Sequence, residues 1–154
     1  MHGGPTNSVL VKNDLVISDS NDKTVQVWCM ETHEKLWQLD LESEVNCTVL
    51  RGDQVISCCS DETVRVLDLE SGEQSHRLDH PYRCINADLS PNNSLLAVAC
   101  DTAVVIWDMK KVVKMKEVEL GSVENPVQDL KFNPTGDKLI VGLHEGEIFK
   151  IELE

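Results

Sequence analysis

The stretch Val55–Glu70 reads VISCCSDETVRVLDLE, and its pattern returns three more times along a chain of 154 residues. Toward the N-terminus, VISDSNDKTVQVWCME runs from Val16 to Glu31; further on, LAVACDTAVVIWDMK runs from Leu96 to Lys110, and a weaker copy, LIVGLHEGEIFKIELE, fills Leu139 to Glu154. In each copy an acidic residue stands six positions before a large apolar one: Asp22 and Trp28, Asp61 and Leu67, Asp101 and Trp107, Glu145 and Ile151. The acidic anchors are therefore 39, 40 and 44 residues apart. A period near 40 that carries a strand-like unit predicts a stack of small sheets.

The second copy shows the unit most plainly. Val45 to Leu50 reads as a strand, Arg51-Gly52-Asp53 as a turn, and Gln54 to Cys59 as a second strand. Ser60-Asp61-Glu62 turns again before a third strand over Thr63 to Leu67, and Glu70-Ser71-Gly72-Glu73 turns before a fourth over Ser75 to Leu78. Four short antiparallel strands in about 40 residues leave no room for a helix. The third strands VQVW, VRVL and VVIW put apolar groups on both faces, so each sheet is expected to be covered on both sides.

At this stage the residues resemble a family. Asp79-His80, Ser90-Pro91-Asn92-Asn93 and Trp107-Asp108 are similar to the Gly-His start, the Ser-Pro-Asp-Gly turn and the namesake dipeptide of the WD-repeat β-propellers. The resemblance implies an all-β fold of about four blades, each a four-stranded antiparallel sheet, with the last blade incomplete and the ring open or partial. It treats the chain as one WD-repeat domain, 1–154, with repeats at about 2–40, 41–79, 80–120 and 121–154. The family braces its blades with a hydrogen-bonded His, Ser, Asp and Trp. Here the candidate brace residues are Ser18, Asp22 and Trp28 in the first copy, Ser57 and Asp61 in the second, and His80, Asp101 and Trp107 in the third. On this reading the first set lacks a positioned His, the third lacks the Ser, and no copy carries the complete set. The hairpins KNDLVIS and RGDQVIS also resemble those of F-box-type WD proteins, which present substrates to ubiquitin ligases.

Composition narrows the function classes. Lys plus Arg is 14 against 27 Asp plus Glu, a net charge of −13, so a nucleic-acid partner is not expected. The six cysteines form no C-x-x-C pair and read as buried free thiols of a reducing compartment, making the protein cytoplasmic, or nuclear as the alternative. No signal-like start and no membrane-length apolar run are visible. The five histidines are scattered, and the recurring Asp of each anchor turn is explained by local acceptance of backbone N–H groups. No nucleophile, base and metal set converges, so no catalytic residue, metal or cofactor is expected.

Recognition remains. The repeat register gathers Glu44 and Ser60 of the second copy, Tyr82, Arg83 and Cys100 of the third, and Asn125 and His144 of the fourth on one loop rim. The leading expectation is a non-catalytic scaffold that presents this composite surface to a protein or peptide, a basic one given the acidic charge. The alternatives are the substrate-recognition part of an F-box-type ubiquitin ligase and, from another class, a small-ligand or enzymatic site in the axial channel. The apolar third strands lead to one further expectation, that the chain self-associates or forms part of a larger propeller.

Overall fold

The computed structural model describes residues 1–153, and among them there is no helix. Contacts divide the chain into two compact units, Met1–Asp79 and His80–Glu154. The first unit holds β1 (Thr6–Lys12), β2 (Leu15–Ser20), β3 (Thr24–Cys29) and β4 (Lys35–Asp40), then β5 (Val45–Arg51), β6 (Gln54–Cys59), β7 (Thr63–Asp68) and β8 (Gln74–Asp79). The second holds β9 (Cys84–Leu89), β10 (Leu95–Cys100), β11 (Ala103–Asp108) and β12 (Val113–Glu119), then β13 (Val127–Phe132), β14 (Lys138–Leu143) and β15 (Ile148–Glu152). Each of the first three groups is a four-stranded antiparallel sheet in chain order, and β13-β14-β15 is a three-stranded one. The all-β fold and the four sheets expected from the 40-residue period are thus present, and β6 has the bounds read from the sequence.

The strands form where period-2 apolar patterning meets turn chemistry, and the turns repeat from copy to copy. Asn13, Gly52, Asn93 and Gly136 have φ between 52° and 76° in the first-to-second-strand turns. These are Asn or Gly, the residues that enter the left-handed region at least cost. The anchor turns use a left-handed residue straight after the acid: Lys23 (φ 72°), Glu62 (φ 66°) and Gly146 (φ 92°). A bulge recurs near the start of the first-strand ladder in every copy, between Thr6 and Ser8, Val45 and Cys47, and Val127 and Asp129, and between Ala99 and Cys100 on the partner strand of the third. Such an extra residue bends the strand and sharpens its twist.

Within each unit the first strands lie side by side, β1 with β5 and β9 with β13. The apolar faces between them form the cores. Ile17, Val25 and Val27 pack with Val45, Val55 and Leu67 in the first unit. Ala97, Val104 and Ile106 pack with Leu139, Val141 and Ile151 in the second. Polar staples accompany them. Asn7 Nδ2 donates to the Val45 carbonyl at 2.6 Å, and buried Asp88 accepts from the Phe132 N–H at 2.8 Å and from Lys131 Nζ at 2.6 Å. Asp19 is wholly buried, which pushes its carboxyl up against hydrogen bonds from Ser8 and Thr48.

The third-to-fourth-strand turns expose a local conflict. Gly72 (φ 73°) lies under the Trp37 ring, which is fixed by Nε1 donating to the Leu69 carbonyl at 2.8 Å; a Cβ at Gly72 would meet the ring at 3.0 Å. Val112 occupies the corresponding turn of the third copy with φ 55°, a conformation that a β-branched residue adopts only under strain. Gly72→Ala should therefore cost about 2 kcal/mol through backbone strain and overpacking, whereas Val112→Asn should stabilise by about 1 kcal/mol. Urea midpoints of the two variants should move in opposite directions, with Val112→Ile, which keeps the strained geometry, close to the parent.

Candidate functional site

Three of the four acidic anchors prove to be held in three different ways, and the first overturns the expectation that its copy lacks a His. His2 stands 20 residues before Asp22, much as His80 stands 21 before Asp101. Its Nδ1 lies 3.0 Å from Asp22 Oδ2 and its Nε2 2.8 Å from Ser18 Oγ. A carboxylate facing Nδ1 places the proton there, leaving Nε2 to accept from the Ser18 hydroxyl. The Gly3 N–H donates to Asp22 at 2.7 Å, and Thr24 donates both its N–H, at 3.0 Å, and its hydroxyl, at 2.7 Å. Burial opposes ionisation of Asp22, but these hydrogen bonds outweigh it and bring its pKa down to about 2. Trp28 stands outside this set, half-buried with the Lys35 ammonium 5.8 Å from its ring centroid. The spacing carried the signal for His2; the order His-Gly instead of Gly-His hid it.

In the second copy Leu41, 20 residues before Asp61, occupies the His position and is buried. Asp61 turns to Arg65, whose Nη2 donates to Oδ2 at 2.9 Å, and accepts from the Thr63 hydroxyl at 2.6 Å. Ser57 is buried against the Thr48 hydroxyl at 3.2 Å and is not bonded to Asp61. The third copy corrects the expected grouping of His80, Asp101 and Trp107. Trp107 Nε1 donates to His80 Nε2 at 3.0 Å, both rings being buried, but Asp101 pairs with Arg83 at 3.1 Å. The physical reason is register. Ala99 faces Val104 across this hairpin where Cys58 faces Val64 in the second copy, leaving four residues in the turn instead of five. Asp101 thus takes the ladder position of Ser60, and the turn has no left-handed residue.

That displacement builds the most developed loop feature of the second unit. Arg83 also donates its Nε to Asp101 Oδ1 at 3.2 Å, and Tyr82 donates its hydroxyl to Glu119 at 3.2 Å. The loop after β12 is tied to the Asp101-Thr102 turn: Gly121 N–H donates to the Thr102 carbonyl at 2.9 Å and Val127 N–H to the Asp101 carbonyl at 2.9 Å. Gly121 is required here, because a Cβ would lie 2.9 Å from the Asn125 carbonyl oxygen. Arg83, Asp101, Val123 and Pro126 line a cavity of about 270 Å³, and Val123 is 91% exposed at its lip.

Asn125 latches the neighbouring turn, donating Nδ2 to Glu147 at 2.8 Å and accepting from the Glu145 N–H at 2.8 Å, while His144 is exposed. Cys100 is wholly buried, so its side chain takes no part in a surface. In the first unit Glu44 is exposed and half-buried Ser60 donates its N–H to the Glu44 carbonyl at 2.9 Å. Sequence reasoning had no reason to single out Val123 or Pro126, which lie outside the repeating pattern. It also passed over a cavity of about 480 Å³ among Lys12, Leu15, Leu36 and Leu69 in the first unit. Among the described residues no group of three or more His, Cys, Asp or Glu side chains is gathered as for a metal, and no helix is long and apolar enough to cross a membrane.

Comparison with known proteins adds a family match over part of the chain and a likeness of fold. Residues 72–108 match the family described as WD domain, G-beta repeat, a span that opens in the turn before β8 and ends on Trp107-Asp108. No curated protein matches the chain. Among solved structures the chain is similar to the crystal structure of the computationally designed Ika4 protein, with a TM-score of 0.88 and 20% identity over 100% of this chain and 94% of that one. Identity at that level shows the fold alone.

The His2 brace yields a pH prediction. The folded-state pKa of Asp22 lies below its ordinary 3.8, so its contribution is complete above that value and is lost as pH falls toward about 2. Asp22→Asn should cost about 1–2 kcal/mol at pH 7 through lost charge-assisted hydrogen bonds. Urea titrations of parent and variant should converge as pH drops from about 4 to about 2. His2→Ala should destabilise in the same direction at pH 7.

Proposed function

We propose that this chain, a WD-repeat protein by its residues 72–108 and by its fold, is a non-catalytic scaffold that captures a protein or peptide partner at the loops of its second unit. WD repeats generally mediate protein–protein contacts, and the family is typically non-catalytic. The observation that supports this site is the cavity of Arg83, Asp101, Val123 and Pro126. An exposed apolar lip beside a charged pair and a nearby Tyr82 is the composition of a binding hot spot. Arg83 and Asp101 are each partly exposed, at 54% and 36% of their side chains, so they are open to exchanging one another for partner groups. A basic segment suits the site, since it would meet Asp101 and Glu119 on a chain of net charge −13. Asn125 and His144 extend the reading to the fourth copy, and Glu44 and Ser60 are the corresponding loop positions of the first unit.

Affinity capture with the purified chain tests this. Val123→Asp and Asp101→Lys should reduce recovery of the bound protein about tenfold, with the thermal melt of Val123→Asp close to the parent because that side chain is 91% exposed. Leu36→Asp, an exposed position of β4 in the first unit, should leave recovery unchanged. Raising salt from about 0.05 to about 0.3 M should weaken capture of a basic partner. Unchanged recovery with Val123→Asp and Asp101→Lys would remove this site.

A further inference from the structure

The fourth strands of the first three sheets share a bulge whose extra residue is used in two ways. In the ladder of β3 with β4, Val27 faces Trp37 and Trp28 faces Lys35, so Leu36 is the extra residue. By the same count Ser75 is extra on β8 and Met115 on β12. A bulge re-aims its side chain out of the regular alternation. Ser75 turns its hydroxyl back to donate to the Val66 carbonyl at 3.1 Å. Leu36 and Met115 have no such group. They are 53% and 55% exposed, and each lines a cavity inside its own unit, of about 480 Å³ beside Leu36 and about 500 Å³ beside Met115.

The cavity beside Leu36 is built from fixed parts, and every wall belongs to a four-stranded sheet or its turns. Leu15, Leu36 and Leu69 supply its apolar lining. The Leu69 N–H donates to the Asp53 carbonyl at 2.9 Å, and the Leu69 carbonyl accepts from Trp37 Nε1 at 2.8 Å, which ties the turns after β5 and β7 to β4. Three carboxylates, Asp53, Asp68 and Glu70, stand around this lining against one ammonium, Lys12, which Asp53 and the Gly52 carbonyl already hold. The N–H groups of Ser71 and Glu70 donate to Asp68 and hold its carboxyl below the usual carboxylate range. The cavity beside Met115 has one charge of each sign in its lining, Glu152 and Lys116. An acidic lip over an apolar floor is therefore particular to the first unit.

We propose that this groove is a second docking site, for a segment of a partner protein that carries one aliphatic side chain between Lys or Arg residues. The aliphatic side chain enters against Leu15, Leu36 and Leu69, and the flanking cations meet Asp68 and Glu70. Because hydrogen bonds already fix the walls, little ordering is lost on binding. Charge selects this occupant over a second copy of the chain, whose net charge of −13 opposes association here. The site lies in the first unit, apart from the Arg83 cavity of the second, and stands or falls independently of it.

The test uses the whole chain and a fluorescein-labelled peptide, Gly-Lys-Arg-Leu-Arg-Lys-Gly. Anisotropy should saturate, and the amide resonances of residues 12 to 15, 36 and 68 to 70 should shift. Replacing the leucine of the peptide by alanine, and the variants Leu36→Gln and Glu70→Lys, should each weaken binding about tenfold. Thermal melts of both variants should stay close to the parent, since both side chains are exposed. Asp101→Lys should leave binding unchanged. The proposal is overturned by an absence of saturable binding, or by binding indifferent to Leu36→Gln and to the alanine peptide, which is charge attraction alone. It is equally overturned by binding that Asp101→Lys removes, or by light scattering that shows a dimer which Leu36→Gln converts to monomer, since a second copy would then hold the groove.

Discussion

In the third strands apolar side chains project from both faces, and a small sheet can keep such a strand only if something covers it on each side. Val25 and Val27 on one face and Gln26 on the other are all buried, as are Val104 and Ile106 on one face and Val105 and Trp107 on the other. From that demand follow the side-by-side first strands, β1 with β5 and β9 with β13, and the shared cores of each unit. It also explains why the polar staples bridge successive sheets. A buried carboxylate such as Asp88 is tolerable because it accepts from the Phe132 N–H and the Lys131 ammonium of the next sheet.

Against that constant requirement, the corners vary. His2 with Ser18 and Thr24, Arg65 with Thr63, and the Trp107–His80 pair are different chemical answers to one problem: where the side-chain and backbone groups of a tight anchor turn find partners. Where the ladder carries an anchor Asp away from the His, that Asp is free to do other work. Asp101 shows the consequence, since a turn shortened by one residue takes it away from His80 and gives it to Arg83 at the rim. The third copy carries the family's namesake dipeptide and its first three strands fall within the matched span, yet it departs from the braced arrangement seen around His2.

The features proposed for binding lie where the repeat is broken, not where it is kept. Val123 and Pro126 belong to an insertion that lengthens the interval between the last two anchors to 44 residues. Leu36 stands at a bulge that breaks the alternation of β4, where the second copy has Ser75. A repeated scaffold solves packing in each copy by the same means, so residues released from that task are the ones available for recognition.

The 40-residue period, the order of short antiparallel strands and the turn positions were written in the sequence, because alternation and turn chemistry act over a few neighbouring residues. Val55, Asp61 and Leu67 are legible in this way, and so is β6 to the residue. Partners across long intervals were not legible. The meeting of His2 with Ser18 and Asp22, of Arg65 with Asp61, and of Arg83 with Asp101 depends on ladder register and on one residue more or less in a turn. A one-residue difference barely alters the spacing of a motif, but it reverses the side to which a strand residue points, so the pattern of the chain determined the sheets while the tertiary structure alone decided which side chains face one another at the rim.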